Sequence, residues 1–424
     1  MQIRLPYGTS YLETTIPDER LAGILTLDSY LPEKNALDLV QDALATPFES
    51  RTLNELAREA KKIVVVTSDH TRPLPSKQTL PFILKDIRKG NPSAEITILI
   101  ATGLHRAPTD QEMVDKFGAE IVEQEKFVIH KADDYSTLVR LEDLPSGAPL
   151  WVNRLAVEAD LLLAEGFIEP HFFAGYSGGR KSIMPGISGR ETILINHSAG
   201  FIDHPNTQSG TIQGNIFHQD MEHAARQAGL KFILNVTLDE EKNIIGAFAG
   251  HPEKAFDQGV RFTEKLTKLT SKRAEIVLTS NGGYPLDQNL YQAVKSMRTA
   301  EYVAKKGGVI ITAASCIDGI GGDTFHRMLL NPGGAGAILE EIRATEPTAT
   351  DLDQWQVQIL VRILLDYKVI VVTEGVDPHE LQAMGLDCAT TLEEALAKAY
   401  DYTHNEAEII VIPNGAGVFV ESIE

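Results

Sequence analysis

The chain has 424 residues, 43% of them apolar and 23% charged, a composition ordinary for a globular enzyme and a length that exceeds one hydrophobic core. Its formal net charge of −20 argues against a nucleic-acid surface, which needs clustered Lys and Arg to neutralise phosphates. The two cysteines, Cys316 and Cys388, offer neither a zinc spacing nor a CxxC redox motif and fit a reducing compartment.

In chain order, Gln2–Pro17 reads as a hairpin turned at Tyr7-Gly8-Thr9. Short β-branched runs then follow at Ile63–Val66, Ile96–Ile100, Leu161–Ala164 and Phe232–Val236, each leading into a polar or glycine-bearing loop and a helical pattern. A polar stretch, Glu264–Arg273, is the expected link to a second series at Ile276–Leu278, Val309–Ile311, Val369–Val372 and Ile409–Ile412. Strands alternating with helices predict two doubly wound α/β domains with mostly parallel sheets and an interdomain active-site cleft. The limits are placed at 1–270 for a catalytic, cofactor-attaching domain and 271–404 for a domain of substrate contacts, with a return of the tail 405–424 to the first left open. The N-terminus lacks the apolar core of a signal peptide, and no run approaches the roughly 20 apolar residues that span a bilayer, so a cytoplasmic, non-membrane protein is expected.

The segments after the strands carry the chemistry. They are Thr67-Ser-Asp-His-Thr-Arg-Pro-Leu-Pro75, Ala101-Thr-Gly-Leu-His-Arg106, Glu165 to Ser182, and Thr279-Ser-Asn-Gly-Gly-Tyr-Pro-Leu-Asp-Gln288. Carboxyl ends of strands line the ligand crevice in open α/β sheets. Gly175-Tyr-Ser-Gly-Gly-Arg-Lys-Ser182 nearly spells a phosphate loop but has Arg180 where that motif needs its second glycine. Its glycines still read as allowing close approach to an anion, with Lys181 and Arg180 beside it. Arg72, stiffened by Pro73 and Pro75, suits bidentate recognition of a carboxylate, or else an ion pair with Asp69. His105, His171 and His197 lie in these segments or their continuation, whereas His218, His223, His326, His379 and His404 receive no role. No HExxH or facial triad accompanies them, so a metal held by one histidine would need its other ligands from elsewhere, such as a cofactor. Asp287–Met297 reads as a helix with Tyr291, Gln292 and Lys295 on one face.

Asp69-His-Thr-Arg-Pro73, Gly103-Leu-His-Arg106, the block Glu169–Gly186, Ile195-Asn-His197 and Tyr291-Gln-Ala-Val-Lys295 together resemble the nickel-dependent lactate racemase family, along essentially the whole chain. The resemblance implies a nickel-pincer nucleotide, the nickel complex of pyridinium-3,5-bisthiocarboxylic acid mononucleotide, joined to Lys181 and made by separate cofactor-synthesis enzymes. It implies His197 as metal ligand, His105 and His171 as acid and base, and contacts to the cofactor from Asp69, His70, Thr71 and Arg72. Arg72, Tyr291, Gln292 and Lys295 would meet the substrate, with Trp355 walling the pocket. Such a set suits inversion of a 2-hydroxy acid. The α-hydrogen beside a carboxylate is a poor acid, so it leaves more easily as hydride while a histidine takes the hydroxyl proton. Lactate is the default substrate, and malate or a larger short-chain 2-hydroxy acid is the alternative. The rival readings are a phosphate-loop nucleotide hydrolase using Lys181 and a non-catalytic protein closing on a small anion.

Overall fold

The computed structural model describes residues 1–27 and 30–423. Both expected series of strands form sheets, each in its own compact unit. One unit comprises residues 29–196 and 205–266; the other comprises 1–28, 197–204 and 267–424.

In the first unit the six strands run in the order Ile244–Gly250, Leu230–Leu238, Leu161–Phe167, Lys62–Ser68, Glu95–Ala101, Lys126–Ile129. All neighbours are parallel except Leu230–Leu238 and Ile244–Gly250, which pair antiparallel. This is the doubly wound arrangement in which the chain starts in the middle of the sheet and builds outward in both directions. The order reverses between Lys62–Ser68 and Leu161–Phe167, and such a switch point leaves a crevice beyond the carboxyl ends of the two strands. Parallel strands covered on both faces must be apolar almost throughout. Ile63, Val65, Ile98, Ile100 and Leu163 accordingly have no exposure and form the core with Leu80, Ile83 and Ile87 of helix Ser76–Gly90. Each such side chain contributes about 1.5–3 kcal/mol on burial. Glu165, in the apolar strand Leu161–Phe167, is the exception.

The second unit has six parallel strands in the order Asp387–Ala389, Lys368–Val372, Ala304–Ala313, Ala274–Ser280, Ile409–Ile412, Leu21–Ile24. Its switch point lies between Ala274–Ser280 and Ile409–Ile412, whose continuations meet in a bridge between Asn281 and Asn414.

Three expectations about chain organisation are corrected. Residues 1–28 group with the C-terminal unit, because Leu21–Ile24 completes its sheet edge and Ile3, Leu5 and Ile16 of the hairpin enter its core. The tail stays in that unit too: Ile409–Ile412 is an interior strand, and Phe419–Ser422 pairs with Lys268–Ser271. The expected linker is structured, since helix Pro252–Thr267 runs into strand Lys268–Ser271 without an intervening loop. The hairpin itself forms as read, with Gln2–Tyr7 against Ser10–Thr15 and Gly8 at a φ of +54° in the turn.

Candidate active site

At the switch point of the first unit, the segment after Lys62–Ser68 is held from beneath. Glu165 is 1% exposed and accepts hydrogen bonds from the hydroxyls of Thr67, Ser76 and Thr79, each at 2.6 Å. Three donors to one carboxylate compensate the charge and tie the start of the loop to the first turn of helix Ser76–Gly90. Lys116 closes the other side, with Nζ donating to the carbonyls of Arg72 at 2.9 Å and Leu74 at 3.4 Å. Burial lowers its pKa to about 8, opposed by the charges of Glu165 and Asp69. Neither residue was singled out as a site residue from sequence. A carboxylate inside the apolar run Leu161–Phe167 was a readable signal, because a charge there requires partners. Lys116 gave no such signal.

Asp69 is 1% exposed, and its Oδ1 accepts from the backbone N–H of Thr71 at 3.0 Å and from the Thr71 hydroxyl at 2.6 Å. Its Oδ2 lies 2.7 Å from Nδ1 of His105. Burial pushes the Asp69 carboxyl upward, but the bond and charge of His105, followed by Arg72 and Thr71, hold it well below the usual carboxylate range. A carboxylate can only accept, so the His105 proton sits on Nδ1 and the lone pair is on Nε2. That is the tautomer of a general base. Arg72 donates from Nη1 to the Thr71 hydroxyl at 3.1 Å, and among the described residues no carboxylate is in ion-pair contact with it. Asp69 therefore orients a histidine and is not the ion-pair partner of Arg72. His70 lies 3.8 Å from Glu112 through Nε2, its buried Nδ1 has no hydrogen-bond partner, and burial lowers its pKa.

After Leu161–Phe167 the chain forms a small hairpin, Pro170–His171 against Gly175–Tyr176, and then the 3-10 turn Gly179–Ser182. The His171 ring is 4.9 Å from that of Phe172 and 4.4 Å from that of Phe173. Its Nδ1 accepts from the backbone N–H of Ala174 at 3.3 Å, which places the proton of the neutral ring on Nε2. The two histidines thus rest in opposite tautomers. Lys181 is partly exposed, with Nζ 5.7 Å from the centre of the Phe173 ring.

The glycine loop does not form the anion cradle expected of it. Gly178 has φ +80° and Gly179 φ +54°, and a Cβ on either would strike protein atoms, the Asn235 side chain at 2.7 Å and the Phe256 ring at 2.9 Å. The glycines let the loop pack onto its own unit. Arg180 is 4% exposed, and its guanidinium is spent on backbone carbonyls of the same loop.

The remaining expected site residues lie in the second unit. His197 is 7% exposed and its ring is 4.8 Å from that of Trp355, edge to face. Trp355 donates from Nε1 to the Tyr291 hydroxyl at 3.2 Å, so these three form one chain of contacts. The eight-residue segment 197–204 is clasped here by Asp203, which pairs with Arg343 at 2.7 Å and Arg362 at 3.4 Å, and by Gln358, which donates to the Ala199 carbonyl. Helix Leu290–Glu301 starts at Asn289, whose side chain accepts from Gln292 N–H. Leu290, Ala293, Val294, Ser296 and Met297 are buried, whereas Tyr291, Gln292 and Lys295 are not, which puts those three on the face turned from the core. Asn281 anchors this helix by accepting from the Ser296 N–H at 3.1 Å.

Among the described residues no group of three or more His, Cys, Asp or Glu could hold a metal ion. A metal at His197 would thus have to arrive with donors of its own. Within the first unit, the orphaned Nδ1 of His70, a partly exposed Lys181 and Arg72, which among the described residues has no carboxylate partner, fit an anionic organic group.

Two family models match the chain. The lactate racemase N-terminal domain matches residues 7–210 and the lactate racemase C-terminal domain matches residues 269–420. Lactate racemase from Thermoanaerobacterium thermosaccharolyticum is 48% identical over 420 residues, 99% of both chains. The chain belongs to the lactate racemase family. Lactate racemase from Lactiplantibacillus plantarum is 44% identical over 421 residues, again 99% of both chains. The solved lactate racemase apoprotein from T. thermosaccharolyticum superposes with a TM-score of 0.96, covering 99% of this chain and 100% of that one. A Thermotoga maritima protein at 20% identity shares the fold, with a TM-score of 0.67 over 93% of this chain and 100% of its own. By family the chain is a racemase, and so an isomerase. No helix among the described residues is long and apolar enough to cross a membrane.

Proposed function

We propose that this chain inverts the α-carbon of a 2-hydroxy acid, with lactate as the first candidate and malate or a larger short-chain 2-hydroxy acid as the alternative. The full-length identity to two lactate racemases supports the substrate class. The observation that carries the chemistry is the Asp69–His105 pair, which leaves Nε2 of His105 free to accept a proton. A nickel-pincer nucleotide, held at Lys181 and His197 and contacted by Asp69, His70, Thr71 and Arg72, would supply the hydride acceptor.

The residues of the chain do the rest. Arg72 and Lys295 hold the substrate carboxylate, Gln292 contacts the substrate with Tyr291 beside it, and Trp355 walls the pocket. His105 takes the hydroxyl proton at Nε2 as the α-hydrogen leaves, and Asp69 stabilises the imidazolium that forms. A planar 2-oxo acid results, and return of hydrogen to its other face gives the opposite enantiomer. For that enantiomer His171 serves as the base, after its weak contact with the Ala174 N–H gives way. The reading places the protein in the cytoplasm, alongside the enzymes that make the cofactor.

The test is protein produced together with those enzymes and assayed on a panel of D- and L-2-hydroxy acids. Inversion of lactate or a close analogue is expected, with a mass adduct on Lys181. Active protein with an unmodified Lys181 would refute the attachment, and turnover of nucleoside triphosphates lost in Lys181→Ala would favour a phosphate-loop hydrolase instead.

A further inference from the structure

Arg180 stands between the two residues that the proposed function asks most of, His171 and Lys181. Its Nη1 donates to the carbonyls of Tyr176 at 2.9 Å and Gly178 at 3.2 Å, and its Nη2 donates to that of Ala174 at 2.9 Å. One planar fork therefore gathers three carbonyls from the short stretch that separates the histidine from the lysine. A single ammonium cannot make the same set of contacts. The guanidinium lies 4.2 Å over the Phe256 ring, which closes its other face. Nε donates to Nδ1 of His218 at 3.1 Å. Because Nδ1 accepts, His218 carries its proton on Nε2, and that atom lies 3.2 Å from Oε1 of Glu222. A carboxylate, an imidazole and a guanidinium thus run in line from helix Ile216–Gln227 into the loop. Burial lowers the Arg180 pKa to about 9, with Glu222 and Asp257 opposing it, so the cation carries a desolvation cost that Glu222 at the end of this line partly offsets.

We infer that Arg180 is a positioning residue that sets the geometry between His171 and Lys181, and that His218 and Glu222 hold it in register. The inference rests on the proposed roles of those two residues. A purely structural role predicts something different: loss of Arg180 would lower stability, and activity would follow stability alone.

Two variants separate the cases. Arg180→Lys keeps the charge and loses the fork; Glu222→Gln acts from the far end of the line, on a side chain that touches neither Arg180 nor the loop. In apo protein, acetylation of Lys181 by an N-hydroxysuccinimide ester, followed by peptide mass spectrometry, reads the lysine's surroundings without any cofactor. Arg180→Lys should change that rate at least threefold while the melting temperature stays within a few degrees. Made alongside the cofactor-synthesis enzymes, it should carry at least threefold less adduct. The fraction that is loaded should show kcat lowered at least tenfold and KM within threefold, because the expected substrate contacts lie on other segments. Glu222→Gln should move acetylation and kcat in the same direction by a smaller factor. Unchanged acetylation and kcat in both variants would overturn the inference, as would losses that simply track melting temperature. If Arg180→Lys fails to fold, Glu222→Gln decides alone, and wild-type values there overturn the inference. Wild-type protein that shows no adduct and no inversion would count against the proposed function instead, and the acetylation comparison would still decide this point.

Discussion

Replacing Asp69 by Asn tests the base assignment with almost no change of shape. Oδ1 accepts from both the N–H and the hydroxyl of Thr71, so the Asn oxygen is held there and its NH2 turns toward His105. A donor facing Nδ1 drives the imidazole proton onto Nε2, which is the atom that must be free. Turning the amide over costs two neutral hydrogen bonds, about 1 kcal/mol each, and the charge-assisted bond lost with the carboxylate adds about 1.5–3 kcal/mol. The sum, about 3–5 kcal/mol, corresponds to a fall in kcat/KM of roughly 10²–10⁴-fold. The assay is initial-rate conversion of each enantiomer, followed with a dehydrogenase specific for the other and normalised to the Lys181 adduct per molecule. Enantiomers have equal free energy in water, so kcat/KM must fall by the same factor in both directions. Normalised activity within threefold of wild type would refute the argument that the Asp69 carboxylate prepares His105. Loss of the adduct itself would show that the cofactor contact proposed for Asp69 outweighs its orienting of the base.

Further outcomes follow from the parts around it. Because the Asp69 carboxyl is held below its ordinary range, its stabilising contribution is present above the unfolded value near pH 4 and is lost as pH falls through the folded one; acid unfolding monitored by circular dichroism should therefore be steeper in wild type than in Asp69→Asn. Lys116 has its pKa lowered to about 8, so its charged form opposes folding below that pH and the penalty is relieved as pH rises toward 10. Urea midpoints should accordingly rise over that range in wild type relative to Lys116→Met, and the variant, having freed the Arg72 and Leu74 carbonyls, should lose activity about tenfold. Glu165→Gln replaces one of two acceptor oxygens by an NH2 donor, sets it against the Thr79 hydroxyl if the amide oxygen keeps Thr67 and Ser76, and should cost about 1–3 kcal/mol in urea unfolding, with an unchanged m-value. Trp355→Phe removes the bond to the Tyr291 hydroxyl, worth about 0.5–1.5 kcal/mol, and should raise KM by roughly two- to tenfold while Lys181 remains modified.

The strands and the loops after them were legible because their signals are local. An apolar β-branched run followed by ionisable residues needs nothing distant to be read, and Asp69, His105, His171 and Lys181 all stand in segments of this kind. What sequence did not yield was which atom serves which partner. Arg180 was read as a cation near an anion because it precedes Lys181; in the fold it turns inward, since Asn235 and Phe256, more than 50 residues away, shape the loop around it. His218 was passed over as one more histidine on a helix, although Glu222 four residues later marks a shared face. The N-terminal hairpin had no local mark of its partner, because Leu21–Ile24 pairs with a strand almost 400 residues on.

The segment 197–204 belongs to a different unit from the residues on either side of it, so the chain passes between the two units four times. A gene cut near residue 267 would yield two products, neither complete. One would carry Ala199 and Asp203 without Gln358, Arg343 and Arg362, which clasp them; the other would lack the strand Leu21–Ile24 at the edge of its sheet. The units therefore cannot be traded between relatives as cassettes at that junction. Homologous recombination in this family should favour exchanges that keep residues 1–28 and 197–204 matched to the helices and strands they join.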